Sequence, residues 1–285
     1  MRVHAVSDIH VDYPQNLEWV LGLSHEDFVE DVLILAGDVS DDLALLGRVL
    51  DACARRFARV LFVPGNHELW VHRGEPRCSL EKFDLIQRLC ADSGVDSRPF
   101  AVGGLIFAPL FSWYDFSFGP MDRSLRLGWR DFQACRWPDW LEDDAAVAAH
   151  FHDLNRAGLA QVAALRASAA AAEEDARVVS CSHFLPSLEV MPGWVPESKR
   201  KVYPVLGSSA LGRQVRELAP WIHVYGHSHV NQAIRIDGVC YVNNAFATPR
   251  ETRIASKRLR CLYDSEDGAV VPRLLQQAED GELWR

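Results

Sequence analysis

Arg59-Val60-Leu61-Phe62-Val63-Pro64-Gly65-Asn66-His67-Glu68 reads as a buried strand emptying into a tight loop. The run is apolar, rich in β-branched and aromatic residues, and Pro64-Gly65 ends it. Gly65 admits backbone angles closed to other residues, so the loop can come close to a ligand. Behind it stand an amide, an imidazole and a carboxylate. Asn66 offers a neutral oxygen, and His67 can hold or release a proton near neutral pH. Taken alone, the same residues also suit an ordinary polar corner between strand and loop.

Three other stretches repeat the arrangement: Ser7-Asp8-Ile9-His10, Gly37-Asp38-Val39-Ser40 and Gly226-His227-Ser228-His229. Each follows an apolar run, at 3–6, 32–36 and 221–225. Loops at the carboxyl ends of strands in an open α/β sheet gather at one edge, where ligands bind. Asp8, His10, Asp38, Asn66, His67, His227 and His229 are therefore expected in one crevice. A fifth run, 177–182, ends in His183 and is expected to join them. The i, i+2 spacing turns Asp8 and His10 to one side while Ile9 faces away.

With these motifs in order, the sequence resembles the calcineurin-like metallophosphoesterases. Their pattern is D-x-H, G-D-x-x, G-N-H-E/D, a lone His and G-H-x-H, and it runs here from Asp8 to His229. The resemblance implies a four-layer α/β sandwich with mixed parallel and antiparallel sheets and flanking helices. It implies two divalent ions, the first held by Asp8, His10, Asp38 and His229. The second would be held by Asp38, Asn66, His183 and His227, with Asp38 bridging. His67 matches the family's non-ligand histidine beside the phosphate. The protein Ser/Thr phosphatase branch carries Asp-Arg-Gly after its second motif and Gly-Asp at its first. Here Asp38 is followed by Val39-Ser40-Asp41-Asp42, and Asp8 is preceded by Ser7, which argues against a phosphoprotein substrate.

Composition narrows the field further. The chain has 285 residues, 48% hydrophobic and 24% charged, enough for a sizeable core in one domain over 1–285. Its net charge of −9 lacks the broad basic footprint of an extended nucleic-acid partner. No stretch is long and apolar enough to span a bilayer. The N-terminus has no signal-peptide layout, and seven cysteines without a Cys-x-x-Cys pair suit a reduced, cytoplasmic setting. Cys181 reads as a buried strand residue.

Strand and helix signals alternate through residue 63, predicting parallel strands with right-handed crossovers. Asp41-Asp42 suits the start of a helix carrying Leu43, Leu46, Val49, Leu50 and Cys53. A second helix is expected over 79–91. Gly103-Gly104 and Asp237-Gly238 mark hairpins. Residues 142–174 read as an Ala-rich helix with Phe151, Leu154, Val162 and Leu165 inward and a break at Gly158. Residues 186–204 read as a charged loop, His223 as packed within its strand, and the tail beyond Ser265 as acidic and without chemistry. Residues 111–140 have no period and mix Trp113, Trp129, Trp137 and Trp140 with Arg123, Arg126, Arg130 and Arg136. This excursion is either a surface segment or a lid whose arginines meet phosphate.

The donor set suits two transition-metal ions drawn from Mn, Fe, Zn, Ni or Co. Two such ions about 4 Å apart neutralise a phosphate ester, acidify a bridging water and align it with the leaving group. His67 can protonate that leaving group or hold a phosphoryl oxygen, and Glu68 can orient a neighbour. The expectation is a metal-dependent phosphate-ester hydrolase acting on a small phosphodiester. A phosphomonoesterase and a nuclease or nucleotide-processing enzyme share the same motifs. A non-catalytic binding module would have lost ligands, and every ligand position is present.

Overall fold

The computed structural model describes residues 1–72, 76–268 and 270–281. The chain opens with β1 (Arg2–Val6), α1 (Pro14–Leu21), β2 (Val32–Leu35), α2 (Leu43–Ala54), β3 (Arg59–Phe62) and α3 (Ser79–Asp92). The hairpin β4 (Phe100–Val102) and β5 (Leu105–Pro109) follows, then the short helices α4 (Arg123–Gly128) and α5 (Asp131–Ala134). Helix α6 (Asp144–Ala171), β6 (Arg177–Cys181), α7 (Ser209–Leu218) and β7 (Ile222–Tyr225) come next. A second hairpin, β8 (Gln232–Ile236) and β9 (Val239–Asn243), precedes β10 (Arg260–Asp264) and α8 (Val270–Glu279).

The strands form two mixed sheets, β10-β1-β2-β3 and β4-β5-β6-β7-β9-β8. In the first, β1 to β3 are parallel and β10 is antiparallel at the edge. In the second, β5, β6, β7 and β9 are parallel, flanked by antiparallel β4 and β8. The period of two along each strand builds the layers. Val3, Ala5, Val32, Ile34, Leu61 and Val63 meet Phe107, Val179, Cys181 and Val224 in the core between the sheets. Their alternates Val6, Leu33, Leu35, Val60, Phe62, Ile106 and Val178 face the helices. Both faces are covered, which is why these strands read as unbroken apolar runs. The crevice is thus supplied by two packed sheets rather than one open sheet. Ser7 bridges to Ala245, joining the first sheet to the segment after β9.

Asp42 caps α2, accepting from the backbone N–H groups of Ala44 and Leu45 at 2.8 and 2.9 Å. Asp237 and Gly238 both take positive φ, 48° and 84°, as a two-residue hairpin turn requires. Helix α6 corrects two expectations. It runs unbroken through Gly158, because packing along its length outweighs the roughly 1 kcal/mol helix cost of one glycine. Its inward row is Val147, Phe151, Asn155 and Val162, while Leu154 is 40% exposed. Asn155 takes the inward place because its amide satisfies the Phe111 backbone, accepting from N and donating to O at 2.8 Å each. Residues Glu197–Val205 coil into a 3-10 helix inside the expected loop. Strand β10, just before Ser265, and helix α8 in the tail were not anticipated; residues 269 and 282–285 of that tail lie outside the described residues. Among the described residues, no helix is long and apolar enough to cross a membrane. All seven cysteines carry free thiols, and Cys181 is a buried strand residue as expected.

Candidate metal centre

Five residues of the motif loops hold positive φ: Asp8 (53°), His10 (46°), Asp38 (55°), His227 (66°) and His229 (55°). Left-handed backbone is uncommon outside glycine, though Asp and His tolerate it better than most, and it persists where surroundings over-determine it. Here the loops zip together. Asp8 N donates to Gly37 O at 2.9 Å, His10 N to Asp38 O at 3.0 Å, and Val11 N to Val39 O at 2.8 Å. The carboxylates also accept from the backbone, Asp8 from His227 N and Asp38 from His67 N, each at 3.0 Å.

Glu68 is the staple of this loop cluster. Its fully buried carboxylate accepts from the backbone N–H groups of Gly65, Asp38, Val39 and Ser40 at 2.6–3.0 Å. Burial and the Asp38 charge push its carboxyl up to about 7, against the four donors that favour the ionised form.

Ligand atoms of Asp8, His10, Asp38 and His229 lie within 4.8 Å of one another, as do those of Asp38, His183 and His227. Asn66 Oδ1 stands 3.1 Å from His183 Nε2, beside the second group. Asp38 belongs to both. His67 belongs to neither; its Nε2 is 3.7 Å from Asp38 and its ring stacks on Trp70 at 3.6 Å. All eight expected residues therefore converge.

Outer hydrogen bonds select which nitrogen each ring aims inward. His183 donates from Nδ1 to Ala36 O at 2.8 Å, leaving Nε2 facing inward. His227 donates from Nε2 to Val205 O at 3.0 Å, leaving Nδ1. His229 Nδ1 lies 3.1 Å from each oxygen of Glu251, leaving Nε2. His229 Nε2 faces His10 Nε2 at 3.1 Å, and His183 Nε2 faces His227 Nδ1 at 3.2 Å. With the outer nitrogens of His183 and His227 both donating, two inward lone pairs this close repel unless a proton or a metal cation lies between them. In each pair one ring behaves as if holding that charge. Burial drives His10 and His227 down to about 3, while Asp8 and Asp38 overcome burial to raise His229 to about 10 and His183 to about 9. Carboxylate, amide and imidazole donors around two such gaps fit two divalent transition-metal ions.

The model of the calcineurin-like phosphoesterase family matches residues 1–231. The chain belongs to the calcineurin-like phosphoesterases. It is accordingly a hydrolase of phosphoric esters, in a family that uses two divalent metal ions. A 125-residue stretch is 35% identical to the [acyl-carrier-protein] phosphodiesterase PptH of Mycobacterium tuberculosis. It covers 41% of this chain and 38% of that protein, so the match spans well under half of the relative's length. The crystal structure of the phosphopantetheinyl hydrolase PptH from the same organism shares the fold at a TM-score of 0.72. That likeness covers 94% of this chain and 97% of the other at 24% identity. A single mutant of Vps29 from Entamoeba histolytica is more remote, with a TM-score of 0.37, 11% identity, and coverage of 93% and 86%.

In this calcineurin-like phosphoesterase the motif loops floor a cleft of about 400 Å³. Its walls come largely from the excursion and the 3-10 segment: Trp129, Arg130, Asp131, Val202 and Leu206, with Trp70 beside His67. Arg130 lies over the Trp70 ring at 5.0 Å, and Trp129 meets His227 edge-on at 5.8 Å. Residues 128–131 of the excursion are thus pinned against the site. The excursion's end is tied down by Val71 N donating to Ala134 O at 2.9 Å and Ser79 N to Arg136 O at 2.7 Å. Of the other arginines expected near phosphate, Arg123 and Arg126 are exposed outside the cleft, and Arg136 does not line it. His223 is packed, as expected, between Ser180 and Ser182. Glu251, Asp131 and Trp70 were not readable as site residues. No motif marks Glu251, which lies 22 residues beyond its histidine, and Asp131 is one of several acids in an aperiodic stretch.

Proposed function

We propose that the chain is a phosphodiesterase, one catalytic unit over 1–285, with the excursion at 111–140 serving as a wall of its cleft. One ion would be held by Asp8, His10, Asp38 and His229, the other by Asp38, Asn66, His183 and His227. The observation carrying this reading is the convergence of two ligand groups that share Asp38, with His183 Nε2 and His227 Nδ1 facing each other at 3.2 Å. When bound, two divalent ions supply charge neutralisation and an acidified water. The chain's own groups do the rest. His67, a quarter exposed to the cleft and held over Trp70, is the proton donor to the departing oxygen. Arg130 grips a non-bridging phosphate oxygen. Trp129, half-buried in the cleft wall, offers apolar area to an organic group, which a diester has on both sides of phosphorus.

The preferred diester is one joining an organic arm to a carrier protein, with free small diesters as lesser substrates. Two observations support this. The partial relative PptH is an acyl-carrier-protein phosphodiesterase. The elements that wall the cleft also carry exposed cations, Arg123 and Arg126 of α4 and Lys199, Arg200 and Lys201 of the 3-10 segment, although the chain as a whole carries −9. Such a cationic surface suits an acidic macromolecule. The unpaired cysteines fit a cytoplasmic setting.

The test compares kcat/KM for bis-nitrophenyl phosphate and nitrophenyl phosphate, then for a phosphopantetheinylated carrier protein at low and high salt. Diester preference, with carrier-protein turnover that falls as salt rises, is the expected result. Faster hydrolysis of the monoester would overturn the phosphodiesterase reading, and an inert carrier protein would return the substrate to small diesters.

A further inference from the structure

We propose that Asp131 is a positioning residue, which sets the orientation of the Asn66 amide towards the metal centre and couples that ligand to the tryptophan wall. The inference rests on the reading of Asn66 as a ligand. Asp131 stands in the excursion, 65 residues from Asn66, and is 2% exposed. Its Oδ1 accepts from Asn66 Nδ2 at 2.9 Å and from Trp70 Nε1 at 2.7 Å, and its Oδ2 accepts from Trp129 Nε1 at 2.7 Å. Three N–H donors offset the cost of burying this carboxyl.

An amide is nearly symmetric in shape and opposite in chemistry at its two ends. A carboxylate only accepts, so the end it holds must be the nitrogen. Asn66 Oδ1 is thereby turned the other way, to 3.1 Å from His183 Nε2, where a cation needs an oxygen. The flipped amide would present N–H bonds to the ion. The same carboxylate fixes Trp70, on which His67 stacks, and Trp129, which lies against His227. A cation held by Asn66 favours the amide orientation that Asp131 also favours, so metal binding and order in the wall reinforce one another.

The experiment titrates Mn(II) into chelator-stripped protein, with stoichiometry and affinity read by calorimetry and the wall read by tryptophan fluorescence. In the native chain two ions bind, and the second changes the fluorescence. Asp131→Ala removes the acceptor from Asn66 Nδ2 together with those of Trp70 and Trp129; the second ion should weaken by roughly 10–100-fold while the first is retained. The double variant Asn66→Asp with Asp131→Ala should recover the second ion, because a carboxylate ligand needs no orienting. A general structural role for Asp131 predicts no such recovery, since both tryptophan N–H groups stay without their acceptor. Native affinity for both ions in Asp131→Ala would overturn the proposal. So would loss of both ions that the double variant fails to restore. Asn66→Ala separates the two levels: if it keeps both ions, the ligand reading falls, whereas loss of the second ion there and not in Asp131→Ala refutes only the positioning role.

Discussion

Gly65 lies so close to Asp38 that a β-carbon on it would stand 2.2 Å from Asp38 Oδ1, and also 2.7 Å from His183 Nε2. No real β-carbon tolerates either distance, so the loop passes the shared carboxylate only as bare backbone. Gly65→Ala should therefore displace Asp38 or His183 while leaving the sheets intact. Elemental analysis is expected to show less than the native metal content, and kcat should fall at least about tenfold. A fully loaded, fully active variant would mean that the loop has slack the geometry denies.

Asp38 stands in both ligand groups, whereas each histidine stands in one. Asp38→Ala should lower metal content and activity more than His229→Ala or His227→Ala does. Equal losses in all three variants would show that the two ions do not share this carboxylate.

His67 is placed beside the ligand groups and outside both. His67→Ala should keep native metal content while kcat falls by roughly 10²–10⁴-fold on an alkyl ester. The loss should shrink for a nitrophenyl ester, whose leaving group needs no proton. A metal loss matching that of His229→Ala would place His67 among the ligands instead.

The Glu68 carboxylate satisfies four buried backbone donors. Hydrogen bonds to a charged acceptor are worth about 1.5–3 kcal/mol each and are not additive. Glu68→Gln, which turns an amide N–H towards at least one donor, should cost about 3 kcal/mol or more in urea unfolding. A cost below about 1 kcal/mol would show that the loops hold their left-handed backbone without this staple.

His223 is sealed in the second sheet as a neutral ring. Ser182 Oγ donates to Phe184 O at 2.7 Å and so accepts from His223 Nε2 at 3.1 Å, while Nδ1 accepts from Ser180 Oγ at 2.8 Å. Burial lowers the ring to about 3, from an ordinary 6.5. Below pH 6.5 the unfolded chain takes up a proton that the folded chain refuses. This contribution to stability is therefore present above that pH and falls by about 1.4 kcal/mol per pH unit as pH drops towards 3. In chelator-stripped protein, His223→Gln should be less stable than the native chain at about pH 7, and the gap should narrow by about pH 5. A gap constant with pH would show that His223 does not control this window.

The amino-acid order by itself determined the pieces whose causes lie within a few residues. Asp8, His10, Asp38, Asn66, His67, His183, His227 and His229 were legible because each closes an apolar run. The turn at Asp237-Gly238 was legible because left-handed backbone narrows the choice of residue. Other features were decided only by contacts that long loops close. The division into two sheets depends on which faces of β1–β3 and β5–β7 meet. The strand β10 depends on β1, at the opposite end of the chain, and no local pattern encodes that pairing. Leu154 faces outward because Asn155 finds the Phe111 backbone, and Gly158 stays helical because its neighbours are packed. Glu251 and Asp131 became site residues only when folding brought a carboxylate to an imidazole N–H and to an amide. A carboxylate's sequence neighbours do not specify its partner. Burial does, because a desolvated donor or acceptor must be satisfied by whichever group the fold places beside it.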